Sequence, residues 1–207
     1  MVTKFLSIDQ EKQDRILNSA IKEFALKGYE KASTNEIVKE AGISKGLLFH
    51  YFKNKKGLYL FLYDQMYQVI VEELFEKIDW DDKDILSRCK RMATLKFDVF
   101  LKYPQLFEFL KSAYFEESNE VRVEIGEKTK ELMAMSSQKL FAEIDYSKFK
   151  DGIDVEKALS VIIWTLEGFS NQHQEKVKIL SFEELQQNEM MTELDGYVEF
   201  LRKSFYK

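Results

Sequence analysis

Residues 33–55 constrain the fold most, because they read as two short helices joined by a tight turn. Ser33 followed by Glu36 fits a capping box, in which each side chain accepts a hydrogen bond from the other residue's backbone N–H. The apolar face of the first helix consists of Ile37, Val38 and Ala41. Gly42 follows where a helix commonly ends in a left-handed residue, and Ser44 can cap the next helix. The stretch therefore predicts a helix, a short turn and a second helix.

The second helix is predicted to bury one face and expose the other. Leu48 and Phe52 lie four residues apart and face inward. The side chains left looking mostly outward are Lys45, Leu47, Phe49, His50 and Tyr51. Such an outer face, after a short turn that contains Gly, is what a helix-turn-helix needs to place its N-terminal residues along base edges. The spacing indicates DNA binding; the alternative is an αα-hairpin whose aromatic residues are buried in a helical core.

The same stretch resembles the N-terminal pattern of the TetR family of bacterial repressors. The matching positions are Thr34, Ile37-Val38, Ala41-Gly42-Ile43-Ser44, Lys45-Gly46, Phe49-His50-Tyr51-Phe52 and Lys55. The family's more usual Tyr-x-His-Phe order is replaced by Phe-His-Tyr-Phe, and Leu47 stands where a polar base-reading side chain is common. The resemblance covers about residues 10–60 and implies an all-α fold, for which apolar periodicity along the chain predicts about nine helices. Residues 1–53 would form a three-helix DNA-binding domain with the helix-turn-helix, and residues 54–207 a helical ligand-binding and dimerisation domain.

The outward face and the resemblance together predict the residues that contact DNA. Tyr51 stands where the family often has a phosphate-contacting His, and Thr34 and Lys55 are also expected to hold phosphates. Leu47 and Phe49 would offer apolar contacts, for example to thymine methyl groups. The full predicted set is Thr34, Ser44, Lys45, Gly46, Leu47, Phe49, His50, Tyr51 and Lys55. Their partner is expected to be a double-stranded, pseudo-palindromic operator.

Composition supports an all-α, DNA-binding chain. Of its 207 residues, 45% are hydrophobic but only eight are Gly and one is Pro, which disfavours a fold with many turns. The net charge of −5 is unevenly distributed. Residues 1–60 carry 11 Lys and Arg against 7 Asp and Glu, whereas the remainder carries 20 against 29. The basic N-terminal part can therefore approach phosphates that the acidic remainder avoids.

Metal, cofactor and catalytic sites are not expected. The two histidines, His50 and His173, lack the spacing of a metal site, and the sequence has no G-x-S-x-G elbow or phosphate-binding Gly loop. Cys89 is alone, and no N-terminal segment resembles a signal peptide, so the cytoplasm is the default location. No apolar run approaches the 18 or so residues that span a membrane. A helical enzyme with a site invisible to motifs is a remote alternative.

Apolar periodicity predicts a series of helices after residues 1–8, which are expected to form a mobile arm. The first helix should occupy residues 9–27 and close at Gly28, where Tyr29 folds back on Phe24. The later helices are predicted at 55–78, 84–102, 104–116, 119–144, from 154, and from 181 with a capping box of Ser181 and Glu184. The long helix at 55–78 would link the DNA-binding part to the rest.

The middle of the chain is rich in aromatic and Met residues, which are either core or the lining of an apolar cavity. Helical spacing leaves both interpretations open. The candidate pocket residues are Met92, Phe97, Phe100, Phe107, Phe109, Tyr114, Met133 and Trp164. The family resemblance implies an effector held among the middle helices, and the apolar residues indicate a small, largely apolar one.

The resemblance also implies that the last two helices form a homodimer. Gly168 lies inside a predicted helix, where it costs about 1 kcal/mol relative to Ala, so the close approach of another helix would explain it. The candidate interface residues are Gly168, Leu194, Val198 and Leu201. The chain is therefore predicted to be a repressor that a small effector releases from its operator. A dimeric DNA-binding regulator without an effector is the first alternative.

Overall fold

Ten α-helices make up most of residues 2–179 and 187–207, the part of the chain that this computed structural model describes. They are α1 (Val2–Leu6), α2 (Gln10–Lys31), α3 (Thr34–Ala41), α4 (Lys45–Phe52), α5 (Lys55–Glu73), α6 (Ile85–Lys102), α7 (Pro104–Tyr114), α8 (Arg122–Phe141), α9 (Val155–Ile179) and α10 (Gln187–Phe205). Two short 3-10 helices occupy Phe75–Lys77 and Tyr146–Lys148. The predicted all-α fold is confirmed, with α1 as a helix that the sequence analysis did not foresee.

The chain divides into two compact units. The N-terminal unit consists of Met1–Val71 and Tyr103–Met133, and the C-terminal unit consists of Glu72–Lys102 and Ala134–Lys207. Helix α5 lies almost wholly in the first unit, whereas α8 contributes to both. The division expected between residues 53 and 54 does not coincide with these packing units, and it stays a prediction about function.

The N-terminal unit has an aromatic core. The ring centroid of Tyr59 lies 4.9 Å from that of Phe24 on α2 and 5.3 Å from that of Phe109 on α7. Phe5 is fully buried, and its ring centroid lies 4.8 Å from that of Phe52. The mobile arm expected at residues 1–8 is therefore wrong for the described residues, because α1 packs Phe5 into this core.

The ends of α2 follow their local sequence signals. Asp9 Oδ1 accepts a hydrogen bond from the Lys12 N–H at 3.2 Å and so caps the first turn. Gly28 adopts φ 69° and interrupts the helical path, as its place in the sequence predicts. The rings of Tyr29 and Phe24 then stack with their centroids 6.4 Å apart. The break expected at Gly28 is therefore present, but the helix does not close there: α2 resumes after it and ends at Lys31.

The capping box predicted from Ser33 and Glu36 is wrong. Helix α3 does begin after Ser33, but the Ser33 side chain makes no capping hydrogen bond, and its N–H donates to Glu23 Oε1 at 2.8 Å. Burial raises the pKa of the Glu23 carboxyl, but hydrogen bonds from Lys27 and from the Ser33 N–H outweigh that effect and hold the pKa below its ordinary value. The Glu23 carboxylate on α2 thus accepts the hydrogen bond from the Ser33 N–H that the capping box assigned to Glu36.

The C-terminal unit packs α6, α9, α10 and the end of α8 around a second apolar core. Arg88 on α6 is buried within it, and its guanidinium donates to the main-chain carbonyls of Lys139, Leu140 and Ala142 at 3.1, 3.1 and 2.6 Å. The last carbonyls of a helix have no partner within that helix. Arg88 therefore satisfies the end of α8 in a place where water is excluded.

Asp84 ties the last residues of the described chain to the start of α6. Its carboxylate accepts from the Leu86 N–H at 2.9 Å, the Tyr206 hydroxyl at 3.0 Å, Arg202 at 2.9 Å and Lys148 at 3.1 Å. Burial alone would raise the pKa of this carboxyl, but the hydrogen bonds from Arg202, Lys148 and Tyr206 lower the pKa to about 2. Asp84 therefore remains ionised although it is buried.

Several predicted helices are shorter than expected. The helix expected at 55–78 ends at Glu73, because the chain turns into Phe75–Lys77 and the Trp80 indole N–H donates back to the Phe75 carbonyl at 2.8 Å. Helices α7 and α8 likewise end before the limits expected at 116 and 144.

The helix expected from residue 181 corresponds to α10. Its predicted capping box, Ser181 with Glu184, lies outside the described residues. Helix α9 begins at Val155, where the Lys157 N–H donates to Asp154 Oδ1 at 3.2 Å, so the start expected at 154 is confirmed.

Candidate nucleic-acid interface and effector cavity

Helices α3 and α4 meet at a turn that Gly42 makes possible. Gly42 adopts φ 66° and ψ 38°, the left-handed region that favours glycine. The Ile43 N–H donates to the Val38 carbonyl at 3.0 Å and closes the end of α3. Ser44 caps α4, because its hydroxyl accepts from the Leu47 N–H at 3.2 Å. A helix-turn-helix is formed, and α4 is its second or recognition helix.

The N-terminus of α4 is open to solvent. Ser44, Lys45 and Gly46 are exposed, as is His50 farther along the helix. The first N–H groups of a helix lack partners within it, and together with the helix dipole they attract anions. This end of α4 therefore presents hydrogen-bond donors and the Lys45 ammonium to the outside, where DNA phosphates and base edges can be met.

Three other predicted DNA contacts are only half-exposed. Leu47 and Phe49 pack partly against the aromatic core of the N-terminal unit, and the Lys45 ammonium lies 5.8 Å from the centre of the Phe49 ring. Thr34 is the first residue of α3 and is half-buried. Each can offer part of its side chain to DNA, and their contacts stay predictions.

Tyr51 does not look outward. Its side chain is 5% exposed, and its ring centroid lies 5.6 Å from that of Phe5. The expected outward orientation is wrong because α1 covers this side of α4. A phosphate contact by Tyr51 stays a prediction, but the ring itself belongs to the core.

Lys55 has partners within its own unit. Its ammonium donates to the carbonyls of Glu30 and Ala32 at 3.0 and 3.2 Å, and it lies 4.6 Å from the centre of the Tyr29 ring. These carbonyls belong to the end of α2 and the residue after it. Lys55 therefore stabilises the chain ahead of α3, a role that the motif did not reveal; its predicted phosphate contact stays a prediction.

The C-terminal unit contains a small cavity of about 40 Å³. Its lining residues come from α6, α8 and α9 and are Cys89, Met92, Ala93, Lys96, Leu140, Ile163, Leu166, Glu167 and Ser170. Burial raises the pKa of the Cys89 thiol to about 12, so the thiol is protonated at neutral pH and is a poor nucleophile. A smaller recess of about 10 Å³ lies beside Phe97 and His173.

The predicted pocket residues are not brought together. Met92 lines the cavity and Phe97 the smaller recess, whereas Phe109 is part of the aromatic core of the N-terminal unit. The others line neither space: Phe100 is buried, Phe107 is half-buried, and Tyr114, Met133 and Trp164 are exposed. Aromatic content alone could not separate core, surface and cavity, because all three occur at helical spacing.

The predicted dimer residues are mostly core. Leu194, Val198 and Leu201 are buried within the chain itself, packed against α6 and α9. The expectation that their stripe faces a partner is wrong, because one chain already covers it. Gly168 is exposed, and a Cβ there would meet no atom of the described residues within 4 Å, so the close helix contact that was expected to explain it is not made among them. Among the side chains that the structure describes, α9 and α10 leave large apolar residues exposed at Val161, Trp164, Tyr197 and Phe200.

The described residues contain neither a metal-binding cluster nor a membrane-spanning helix. Among the side chains that the structure describes, no three or more of His, Cys, Asp and Glu lie together so as to hold a metal ion. No helix in the described part of the chain is both long and apolar enough to cross a membrane.

Helix α4 is short and exposed at its N-terminus, follows a turn at Gly42 and packs on a helical core. This arrangement defines a helix-turn-helix DNA-binding protein. Comparison with known families agrees, since residues 16–61 match the family of bacterial regulatory proteins called the tetR family. The chain is therefore a TetR-like DNA-binding transcriptional regulator.

Similar proteins cover most of the chain. The fatty acid metabolism regulator protein of Bacillus subtilis (strain 168) is 27% identical over 157 residues, which are 74% of this chain and 78% of that protein. A TetR family transcriptional regulator from Chloroflexus aurantiacus J-10-FL has a TM-score of 0.72 at 19% identity, covering 99% of this chain and 98% of its own. The transcriptional regulator FadR from Bacillus subtilis, solved in complex with stearoyl-CoA, has a TM-score of 0.58 at 20% identity, covering 91% and 96%. The two structures share the fold of this chain.

Proposed function

We propose that this regulator is a repressor, that it binds a pseudo-palindromic operator as a homodimer, and that a small, largely apolar effector releases it. The observation that carries DNA binding is the exposed N-terminus of α4 with Ser44, Lys45 and Gly46. Such a helix can enter the major groove with these residues towards the base edges. Action on a bacterial operator also implies that the protein works in the cytoplasm, where the chromosome lies.

The homodimer is supported by large apolar side chains on α9 and α10 that the described residues leave exposed. Val161 and Trp164 on α9 and Tyr197 and Phe200 on α10 are exposed, and Trp164 retains 69% of its accessible surface. Gly168, one turn after Trp164, leaves room for a second helix to approach. A second copy suits this face, because a two-fold axis lets the same patch cover itself. The two recognition helices would then reach successive major grooves about 34–36 Å apart.

The effector is proposed to bind the cavity between α6, α8 and α9. Its walls include the apolar side chains of Met92, Leu140 and Ile163, and Lys96 and Glu167 add charged groups. The 27% identical relative is a fatty acid metabolism regulator, and the similar structure of FadR holds stearoyl-CoA. A long acyl chain is therefore the first class of effector to test.

A regulator without an effector is the second candidate, and the size of the cavity favours it. At about 40 Å³ the cavity can hold water but not an acyl chain, since sites for drug-sized ligands enclose about 300–1,000 Å³. An effector would have to bind a wider form of this unit. Its apparent affinity would then be reduced by the fraction of molecules that are open.

Titrating stearoyl-CoA into the free protein and into the operator complex tests release. A ligand that binds both forms equally cannot move the equilibrium between them. We expect stearoyl-CoA to bind the free protein about 5- to 150-fold more tightly than the complex, and operator DNA to lose affinity by the same factor. Equal affinities would contradict release. Absence of binding for acyl-CoA of any chain length would favour the regulator without an effector.

Filling the cavity supplies a matched variant. Ala93 lines the cavity, so Ala93→Leu should occupy its volume, retain operator binding and resist release by stearoyl-CoA. Ala134→Leu makes the same change at an exposed position of α8 and should be released like the wild type. Normal release of Ala93→Leu would place the effector elsewhere.

A further inference from the structure

The recognition helix α4 is joined to α5 by only two residues, Lys53 and Asn54. Lys53 has φ 69° and ψ −52°, and the Asn54 N–H donates to the Phe52 carbonyl at 2.8 Å. These values are close to a γ-turn of the rare and strained kind. Backbone strain of this kind persists only where the surroundings over-determine the conformation, and it is concentrated at functional elements.

Gly57, in the first turn of α5, supplies part of that constraint. Its N–H donates to Asn54 Oδ1 at 2.8 Å. A Cβ on Gly57 would overlap the Phe52 carbonyl oxygen and would lie 3.3 Å from the carbonyl carbon. Both are main-chain atoms, so rotating a side chain cannot relieve the overlap. Gly57 is the residue that lets the last carbonyl of α4 rest against the first turn of α5.

The other side of the joint is held by the aromatic core. The buried Phe52 ring lies 4.8 Å from that of Phe5 and 5.3 Å from that of Phe61, centroid to centroid. The Lys53 N–H also donates to the Phe49 carbonyl at 2.8 Å, which fixes the joint to the last turn of α4. A close-packed core resists displacement of the side chains within it. Because the Phe52 ring is held in this core, its carbonyl can move away from a Cβ at position 57 only if α4 turns about its end at Lys53.

We propose that Gly57 positions the recognition helix for sequence-specific DNA binding without touching DNA. The N-terminal residues of α4 lie about seven residues from Lys53, which is about 10 Å along the helix. A tilt of about 10° at the joint displaces them by roughly 2 Å, more than a hydrogen bond to a base edge tolerates. Phosphate contacts through long, flexible side chains adjust to such a shift. The proposal rests on DNA binding by α4 and needs no effector.

Gly57→Ala tests the positioning role. The wild-type protein first selects an operator from a pool of random duplexes, and affinity for that duplex is then compared with affinity for a scrambled duplex of equal composition. We expect Gly57→Ala to lose about 10-fold or more in operator affinity, the equivalent of one base contact, and to bind the scrambled duplex as the wild type does. The loss is diagnostic because Ala forms helices better than Gly. The matched control is Gly126→Ala in α8, where a Cβ would meet nothing within 4 Å.

Lys53→Gly supplies a rescue that a merely structural role would not predict. Glycine adopts positive φ freely, so the joint can adjust to a side chain at position 57 while α4 keeps its direction. Gly57→Ala should therefore reduce operator affinity less in the Lys53→Gly background than in the wild-type background. Because both members of each comparison carry the same residue at position 53, the lost charge cancels.

Three results with folded Gly57→Ala would overturn the proposal. They are wild-type operator affinity in Gly57→Ala, an equal loss on the operator and the scrambled duplex, and an equal loss in the two backgrounds at position 53. If Gly57→Ala alone unfolds at the assay temperature, the double variant must recover both the fold and preference for the operator, and failure to do so also overturns it. Failure of the wild-type protein to select any duplex would instead contradict DNA binding by α4.

Discussion

The two units differ in how directly their sequences translate into structure. In the N-terminal unit, the turn between α3 and α4 follows from Gly42 and Ser44, whose effects are local. In the C-terminal unit, the apolar stripe of α10 predicts a dimer interface, yet Leu194 and Leu201 are core. A glycine with positive φ or a capping hydroxyl acts on its own neighbours in sequence. An apolar stripe indicates only that something covers it, and not whether the cover belongs to the same chain.

The largest expected effect concerns two adjacent residues of α10, one in the core of the chain and the other exposed at its surface. Leu201 is 1% exposed and Phe200 is 67% exposed. Leu201→Asp should lower the free energy of unfolding by about 4 kcal/mol or more, because it removes buried apolar volume and buries a charge. Denaturant unfolding followed by circular dichroism measures the loss.

Phe200→Asp is the matched control for that experiment. It should leave the fold intact and, if α9 and α10 form the proposed interface, should give monomers in light scattering with weaker operator binding. A stably folded, monomeric Leu201→Asp would restore the original assignment of the stripe to the interface.

A smaller effect is expected where the C-terminal unit depends on contacts distant in sequence. The pKa of Asp84 is lowered to about 2 from an ordinary 3.8, so its contribution to stability is complete above about pH 4 and is lost as the pH falls towards 2. The shift corresponds to about 2 kcal/mol. Asp84→Asn should lower stability by about that amount at pH 7 and should flatten its decline between pH 4 and 2.

Urea unfolding at a series of pH values measures this dependence. Asp151→Asn serves as the control, because Asp151 pairs with Lys207 at the surface and should change neither value. An unchanged acid dependence in Asp84→Asn would show that other carboxyl groups determine it.

The smallest expected effect concerns Lys55. This residue belongs to the helix-turn-helix motif, but its ammonium group contacts the end of α2, which the local sequence does not predict. Lys55→Ala removes two hydrogen bonds to carbonyls and a contact with the Tyr29 ring, so it should lower stability by about 1 kcal/mol. Lys45→Ala, at the exposed end of α4, should leave stability unchanged and reduce the salt dependence of DNA binding by about one unit of slope. A similar fall in slope for Lys55→Ala would add a phosphate contact to its structural role.

The sequence predicted the fold class and the helix-turn-helix because both depend on local patterns. Gly42 marks the end of α3 and Ser44 the beginning of α4. The four-residue spacing of Leu48 and Phe52 indicates which face of α4 is buried. The exposed residues at the start of α4 could be foreseen for the same reason.

The remainder depends on residues far apart in the chain. Tyr51 is buried because Phe5 covers it, and Asp84 is ionised because Arg202 reaches it. The cavity lining is similarly assembled from three helices, so only Met92 of the predicted pocket residues lines it. Periodicity along one helix shows which face is apolar, but it does not predict which other helix packs against that face.

The use of the α10 stripe inside a single chain bears on how the amount of protein controls repression. A chain that fills its own core can fold before it associates, unlike obligate dimers, in which folding and association are inseparable. While the concentration of chains stays below the dissociation constant of the proposed dimer, the dimer concentration follows the square of the chain concentration. Doubling synthesis then raises the DNA-binding species about fourfold by mass action. The operator would be switched over a narrower range of gene expression than a monomeric repressor allows.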